Sequence, residues 1–411
     1  MPAATPSRPR RRARLRIAVV YGTRPEAIKM APVVRALRRR PEAFEVVVCA
    51  TAQHRELLDQ AQRLFGLVPD HDLDLMTPGQ GLNQLASRAL AALDRLLARL
   101  EPDWLLVQGD TTSAAAAALA AFHLGLRIGH VEAGLRTGDL ARPFPEEANR
   151  RIVDLLALAL FAPTELAARR LRQAGTEPER IFITGNTGID ALYQVADSLA
   201  WDEPAADREE EEADAAGAGE ETGEVLVTIH RRESFGEPLA AILGAIAHLA
   251  GRFPRVRWIY PVHPNPRVAG PAAELLQGIP NLRLCPPLAY DEIVRQLRRA
   301  RLVLTDSGGL QEEAPAFGKP VLVLRDVTER PEGITAGVAR LVGTDPWRIV
   351  AETERLLTDR AAYRRMASIA NPYGDGRAAE RIAAILAGEP YQPFKPEPAT
   401  AAAGRDRGPA D

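Results

Sequence analysis

The sequence predicts a two-domain α/β protein with parallel sheets. Two observations lead to this fold class. Short apolar runs alternate with helical patterns along almost the whole chain, which is typical of βαβ units. An acidic stretch interrupts this alternation near the middle, and 411 residues exceed what one hydrophobic core usually serves. The most distinctive blocks follow predicted strands, where parallel sheets place their ligands, so two such domains facing each other would form a binding cleft.

The first half of the chain reads as one parallel sheet covered by helices on both faces. The predicted strands are Arg16–Tyr21, Phe44–Thr51, Trp104–Gln108, Arg127–Glu132 and Arg180–Thr184. The predicted helices between them are Pro25–Arg39, His54–Phe65, Leu82–Leu100, Thr112–Leu124, Pro145–Leu158 and Thr164–Gln173.

The second half repeats the pattern after the acidic stretch Trp201–Glu224, which has too few apolar residues to form a core. Its predicted strands are Val225–Ile229, Arg257–Pro261, Asn281–Cys285, Leu302–Thr305 and Pro320–Leu324, and helices over Trp347–Leu357 and Gly376–Leu386 close the chain. The expected organisation is therefore a disordered basic arm (1–14), an N-terminal domain (15–200), an acidic linker (201–224), a C-terminal domain (225–370), a helix packing back toward the first domain (371–389) and a disordered tail (390–411).

Composition excludes several classes of protein. A formal net charge of −2 gives no reason to expect nucleic acid or an anionic membrane as partner, and no apolar run reaches the roughly 18 residues of a membrane span. Cys49 and Cys285 are predicted to be buried free thiols in a reducing cytoplasm. The histidines are scattered, so neither a metal site nor a cofactor is expected.

Several blocks carry groups suited to an anionic ligand. Ser307-Gly308-Gly309 follows a strand and opens a helix, an arrangement that binds phosphate through free amides; a simple turn with Ser307 as N-cap is the alternative. His230 and Arg330 also follow strands, and Arg330 could grip a phosphate. At the first strand–helix junction lie Arg24 and Lys29, the latter one of only three lysines in the chain.

Carboxylates dominate the N-terminal half. Asp110 and Glu132 each follow a strand, and Glu146 lies in the first turn of a helix beside Glu147. An N-cap role would explain Asp110, and the helix dipole would explain Glu146 and Glu147. Three carboxylates on separate loops could instead converge on one substrate and perform acid–base chemistry.

Taken together, the blocks resemble the non-hydrolysing UDP-N-acetylglucosamine 2-epimerases over roughly Arg16 to Leu386. The matching blocks are GTRPEAIKMAP, TAQHRELLDQ, GDTTS, GHVEAGLRTGDL, PEEANR, FITGNT, HRRESFG, TDSGGLQEEAP, GKPVLV, RDVTERPE and NPYGDG. The resemblance implies two Rossmann-like domains of the glycosyltransferase-B type, with UDP held mainly by the second. It also implies a homodimer and, in bacterial members, activation by UDP-GlcNAc at a second site.

The resemblance further assigns roles to residues. Asp110, Glu132, Glu146 and His230 would be catalytic, and His230 would also contact the nucleotide. The residues implied to bind the nucleotide sugar are Arg24, Lys29, Leu288, Ile293, Ser307, Gly308, Gly309, Glu313 and Arg330, with backbone near Leu288 and Ile293 on the uracil.

The implied reaction interconverts UDP-GlcNAc and UDP-ManNAc through elimination of UDP to 2-acetamidoglucal and re-addition. The sequence leaves open which carboxylate is acid and which is base. The alternatives are a hydrolysing 2-epimerase that releases ManNAc and UDP, an epimerase of another UDP-2-acetamido sugar, a glycosyltransferase of the same fold, and a UDP-sugar-binding regulator.

Overall fold

The computed structural model describes residues 14–51, 55–77, 79–199 and 223–396, and omits the side chains of 55–57 and 232. The predicted basic arm up to residue 13, nearly all of the acidic stretch and the end of the tail lie outside these residues. The chain divides into two compact units. Unit 1 comprises Met1–Ala191 and Gly374–Lys395, and unit 2 comprises Leu192–Tyr373 and Pro396–Asp411.

Unit 1 is built on a seven-stranded sheet in the order β3-β2-β1-β4-β5-β6-β7, with every neighbouring pair parallel. The strands are β1 (Leu15–Tyr21), β2 (Phe44–Ala50), β3 (His71–Asp72), β4 (Trp104–Gln108), β5 (Arg127–Val131), β6 (Ala159–Ala162) and β7 (Ile181–Ile183). The chain order reverses between β1 and β4. In doubly wound sheets this switch point opens a crevice at the carboxyl ends of the strands.

Helices cover both faces of this sheet. They are α1 (Arg24–Arg38), α2 (Arg55–Phe65), α3 (Leu82–Leu100), α4 (Thr112–His123), α5 (Glu146–Leu156), α6 (Glu165–Gln173) and α7 (Thr187–Leu199), whose last residues enter unit 2. Helix α4 packs between α3 and α5, and its run of alanines is mostly buried because small side chains permit close approach. The C-terminal helix α15 (Ala378–Leu386) packs against α1.

Unit 2 repeats the arrangement with six parallel strands in the order β10-β9-β8-β11-β12-β13. The strands are β8 (Gly223–Thr228), β9 (Val256–Pro261), β10 (Leu282–Cys285), β11 (Ala300–Thr305), β12 (Val321–Val323) and β13 (Ala339–Leu341). The helices are α8 (Glu237–Arg252), α9 (Pro266–Leu276), α10 (Tyr290–Arg299), α11 (Gly308–Glu313), α12 (Pro331–Ala336), α13 (Pro346–Thr358) and α14 (Arg360–Ala367). Its switch point lies between β8 and β11.

Every strand predicted from the sequence is present to within two residues, but three were missed: β3, β6 and β13. The prediction of one helix over Pro145–Leu158 is wrong at its end. Helix α5 stops at Leu156, and the Leu158 amide donates to the Ile128 carbonyl oxygen at 2.8 Å as the chain enters β6. The last helix starts at Ala378, not Gly376. Cys49 and Cys285 are buried and free, as predicted.

None of the helices in the described part of the chain combines the length and the apolar character that crossing a membrane requires.

Candidate active site

In unit 1, the candidate site begins at the loop between β1 and α1, which Glu26 organises. Its Oε2 accepts from the amides of Gly22 at 2.9 Å and Thr23 at 2.7 Å, and its Oε1 accepts from the hydroxyl of Thr111 at 2.7 Å. Burial raises the pKa of Glu26 above its ordinary value, although these donors oppose the rise. Glu26 thereby joins the loop after β1 to the loop after β4, on the two sides of the switch point.

Lys29, on the buried side of α1, points to the end of β5. Its Nζ lies 2.5 Å from Oε1 of Glu132, and the amide nitrogen of Gln108 donates to Oε2 of the same carboxylate. Glu132 is buried and has a positive φ of 68°, which only a few per cent of non-glycine residues adopt. Such strained backbone clusters at functional sites. Arg24 is the first residue of α1. Contact of Arg24 and Lys29 with a nucleotide stays a prediction.

Asp110 lies directly after β4 and is held by α5. The guanidinium of Arg150 contacts its carboxylate, and the side chain of Asn149 donates to its carbonyl oxygen at 3.0 Å. The alternative that Asp110 is an N-cap is wrong, because the hydroxyl of Thr111 accepts from the Ala114 amide and caps α4. Asp110 therefore does not cap α4, which was the structural role that the sequence allowed.

The structure separates Glu146 from Glu147. Glu147 is fully buried and accepts from the Thr137 amide, Arg150 and Arg151. Burial would raise its pKa, but these donors outweigh it and hold the pKa below its ordinary value. Oε2 of Glu146, by contrast, is buried and has no hydrogen-bond partner among the described residues. Unsatisfied buried carboxylate oxygens are costly, so this atom is the clearest candidate in unit 1 for contact with a ligand.

Glu146 and Arg150 are four residues apart on α5 and so share one face of the helix. Since Arg150 contacts Asp110, this face brings Glu146 toward the end of β4. Glu132 lies nearby: a Cβ built on Gly109 would be 3.8 Å from its Oε2. The three predicted carboxylates thus gather at one edge of the sheet. Arg150 and Gln108, which sequence reasoning did not assign, hold two of them, and the spacing of four residues was the available signal for Arg150.

In unit 2, His230 and Asp306 meet at the switch point. Asp306, fully buried after β11, accepts from the amides of His230 and Arg231, and its Oδ1 lies 3.1 Å from Nδ1 of His230. Burial lowers the pKa of His230 below its ordinary value, Asp306 opposes this, and the charge of Arg231 and the stacked ring of His263 add to the lowering. At neutral pH the ring is accordingly uncharged, with Nε2 left for a ligand.

The segment Ser307-Gly308-Gly309 starts α11 beside Arg330. Ser307 occupies the N-cap position, but its hydroxyl makes no capping bond, so the simple-turn alternative lacks its expected contact. A Cβ built on Gly308 would be 3.0 Å from Cζ of Arg330, which shows how closely the guanidinium approaches this backbone. Nε of Arg330 donates to Oε1 of Glu312 at 2.8 Å. Glu312 is therefore occupied in orienting Arg330.

The remaining predicted nucleotide contacts lie around α10. Leu288 belongs to the loop before this helix, and the Ile293 amide donates to the Ala289 carbonyl oxygen within its first turn. Oε1 of Glu313 accepts from the hydroxyl of Tyr290 at 3.1 Å. Within the described ranges, no cluster of three or more His, Cys, Asp and Glu side chains could hold a metal ion.

Comparison with known proteins identifies the family of this chain. A family model described as UDP-N-acetylglucosamine 2-epimerase matches residues 35–387. The UDP-N-acetylglucosamine 2-epimerase of Salmonella typhimurium is 50% identical over 372 residues, covering 90% of this chain and 98% of that protein.

Solved structures agree. The Neisseria meningitidis UDP-GlcNAc 2-epimerase bound to UDP-GlcNAc is 41% identical with a TM-score of 0.83, covering 91% of this chain and 100% of that chain. The Methanocaldococcus jannaschii UDP-GlcNAc 2-epimerase in complex with UDP-GlcNAc and UDP is 30% identical with a TM-score of 0.73, covering 90% and 99%.

Two Rossmann-like units, each with charged side chains at its switch point, define the class: an α/β protein of the glycosyltransferase-B type. Within that class, the chain belongs to the UDP-N-acetylglucosamine 2-epimerase family. This confirms both the predicted Rossmann-like architecture and the resemblance read from the sequence blocks.

Proposed function

We propose that the protein interconverts UDP-GlcNAc and UDP-ManNAc without releasing the sugar. The observation that carries this proposal is the buried Oε2 of Glu146, which has no hydrogen-bond partner in the described part of the chain. It lies on the same helix face as Arg150, which contacts Asp110. Together with Glu132, these residues give unit 1 three carboxylates in different surroundings. An epimerisation needs this, because one group must remove a proton and another must return it.

Unit 2 would hold the UDP moiety. Arg330 and the amides of the segment Ser307–Gly309 suit a diphosphate, and Glu313 suits the ribose hydroxyls. Burial lowers the pKa of His230, and neighbouring positive charge adds to the lowering. A diphosphate placed against its ring would favour the imidazolium, so binding itself would add a cation to the site.

The reaction would proceed by elimination and re-addition. The C2 proton of the sugar is not adjacent to a carbonyl, so the C1–O bond to UDP must break as the proton leaves. One carboxylate of unit 1 takes the proton, the C1–C2 double bond of 2-acetamidoglucal forms, and the bond electrons depart with UDP. A second carboxylate protonates C2 from the opposite face, and UDP adds back to C1. Cations on the departing diphosphate would stabilise its charge.

Product analysis tests this function. Purified protein is incubated with UDP-GlcNAc, and the products are followed by proton and phosphorus NMR. The proposal predicts UDP-ManNAc with the diphosphate intact. Accumulation of free ManNAc and UDP would show the hydrolysing reaction instead, and conversion of only another UDP-2-acetamido sugar would change the substrate. Turnover that requires an added sugar acceptor would indicate a glycosyltransferase. Binding without any turnover would indicate a regulator.

We also propose that the chain works as a cytoplasmic homodimer. Five exposed apolar side chains support the dimer: Phe122 and Leu124 at the end of α4, and Ile152, Leu155 and Leu158 on or just after α5, which packs against α4. Exposed apolar patches of this kind mark protein interfaces. The free thiols of Cys49 and Cys285 fit a reducing compartment.

Activation by UDP-GlcNAc at a second site remains part of the proposal, tested by whether UDP-ManNAc turnover depends on added UDP-GlcNAc.

A further inference from the structure

A buried histidine lies behind the carboxylates of unit 1. His130, in β5, has no exposed surface, and both of its ring nitrogens face oxygen atoms. Nδ1 lies 2.6 Å from Oδ1 of Asp154 on α5, and Nε2 lies 2.7 Å from the carbonyl oxygen of Gly109. The other oxygen of Asp154 lies 2.6 Å from the guanidinium of Arg136 and accepts from the Gly134 amide.

This geometry shows which ring nitrogen donates to Gly109. A backbone carbonyl oxygen can only accept, so Nε2 of His130 carries a hydrogen. Burial would raise the pKa of Asp154, but its contacts with His130 and the guanidinium of Arg136 outweigh burial and hold that pKa below its ordinary value. Asp154 is thus a carboxylate, and it holds the ring of His130 at Nδ1.

The bond to Gly109 matters because of where that peptide lies. The Gly109 carbonyl belongs to the peptide group that connects Gly109 to Asp110. Because this group is planar, fixing the direction of the carbonyl also fixes the position of the Asp110 backbone. Gly109 has a positive φ of 69° and donates its amide to the Val131 carbonyl oxygen at 3.0 Å. Four contacts from β5 and α5 therefore set this one loop. Val131 binds the Gly109 amide and His130 binds its carbonyl, while Arg150 contacts the Asp110 carboxylate and Asn149 donates to the Asp110 carbonyl oxygen.

We propose that His130, held by Asp154, is a positioning residue that aims Asp110 at the sugar by binding the Gly109 carbonyl. The proposal rests on the proposed epimerisation and adds to it a residue that does not touch the substrate. The same Asp154 binds Gly134 and Arg136, two and four residues after Glu132. The pair His130–Asp154 thus ties together the loops that carry Asp110 and Glu132.

Two substitutions at the same position separate positioning from packing. In His130→Gln the amide nitrogen stands where Nε2 was, so the bond to Gly109 is kept and the bond to Asp154 is lost. In His130→Asn the amide nitrogen stands near the place of Nδ1, so the bond to Asp154 is kept and Gly109 is released. Both variants leave a buried amide in place of the ring. Any loss of stability should therefore be similar in the two.

The experiment measures kcat and KM for UDP-GlcNAc, UDP binding and the melting temperature of both variants. We expect kcat of His130→Asn to fall about 10²-fold, as misplacing a reacting group by about 1 Å can do, and kcat of His130→Gln to fall much less. KM and UDP affinity should change little in either. Equal kcat values in two folded variants would overturn the role of His130, provided that the wild type epimerises UDP-GlcNAc. An inactive wild type would instead overturn the proposed function, and the role of His130 with it.

The hydrogen position on the His130 ring can also be measured in the wild-type protein, without any variant. With the histidine rings labelled with nitrogen-15, NMR should show a hydrogen on Nε2 of His130, the nitrogen that faces the Gly109 carbonyl. An Nε2 atom without a hydrogen would exclude the bond to Gly109 and contradict the proposal.

Discussion

The ammonium of Lys29 lies 2.5 Å from the carboxylate of Glu132, so a cation on the first helix is paired with a carboxylate 103 residues later in the chain. Both side chains are largely shielded from solvent, with exposed fractions of 17% and 6%. The pair joins α1, which follows β1, to the residue after β5, and β1 and β5 are the two neighbours of β4 in the sheet. A lysine at this position therefore has a partner that the sequence did not reveal.

Replacing Lys29 with methionine keeps the stem of the side chain and removes its charge. Breaking a buried ion pair from one side leaves the other charge uncompensated, which typically costs about 3–5 kcal/mol. We expect the free energy of unfolding, measured by urea titration at pH 8, to fall by an amount of this order. Adding Glu132→Gln to Lys29→Met should recover most of the loss. If the double variant is no more stable than Lys29→Met, the two side chains are not coupled as described.

Replacing Gly308 with alanine should weaken UDP binding. The new Cβ would lie 3.0 Å from the guanidinium carbon of Arg330 and displace it from the backbone it lies against. We expect the Kd for UDP, measured by calorimetry, to rise about tenfold or more, equivalent to about 1.4 kcal/mol. Gly244→Ala, within α8 of the same unit, is the matched control, because a Cβ built there would meet no neighbouring atom of the described residues within 4 Å. Equal Kd values for the two variants would speak against the role of Arg330.

Asp190 should make the stability of unit 1 depend on pH. Burial raises its pKa to about 7, although the amides of Ala379 and Ala378, at the start of α15, oppose the rise. Between about pH 4 and pH 7 the folded protein therefore holds a proton that the unfolded chain has released, so the stability from Asp190 is present below this window and is lost as the pH rises through it.

The comparison with Asp190→Asn isolates this effect. Asparagine does not titrate, so the wild type should lose stability relative to the variant between pH 5 and pH 8, by about 2–3 kcal/mol. Unfolding titrations of both proteins at the two pH values measure the difference. A stability difference that is the same at both pH values would show that Asp190 does not titrate in this range.

The exposed side chain of Leu155 on α5 should be covered in the proposed dimer. Its exposed fraction is 77%, and the neighbouring Ile152 is also exposed. We expect Leu155→Arg to convert a dimer into monomers, as read from the mass by light scattering after size exclusion. Leu275→Arg, at an exposed position of unit 2, is the control and should remain dimeric. Dimers that survive Leu155→Arg would exclude this face as the interface.

Much of the fold could be predicted because buried parallel strands form apolar runs bounded by turns. Strand β6 was missed because the apolar residues of α5 run directly into it, from Ile152 to Ala162, and periodicity alone does not divide such a run. Strands β3 and β13 are only two and three residues long. Each is defined by its partner in the sheet more than by its own sequence.

The site was predictable in its parts but not in its pairing. Asp110 and Glu132 could be placed after strands, since parallel strands end at one edge of a sheet. The contacts Lys29–Glu132 and His130–Asp154 could not be predicted, because they join positions 103 and 24 residues apart through the tertiary fold. Position in the helix left Glu146 and Glu147 equivalent, and only the resemblance selected Glu146. The packing of α5 buries Glu147 among arginines and leaves Oε2 of Glu146 without a hydrogen-bond partner among the described residues.

In the proposed mechanism, carboxylates of unit 1 exchange the C2 proton of a bound UDP-sugar with solvent. NMR of UDP-GlcNAc incubated with the protein in D₂O detects this exchange, with Asp110→Asn and Glu146→Gln as comparisons. We predict deuterium at C2 in the wild-type reaction, and an exchange rate lower by about 10²–10⁴-fold in both variants while UDP binding persists. Epimerisation that keeps the original hydrogen at C2, or variants that exchange at the wild-type rate, would contradict the account.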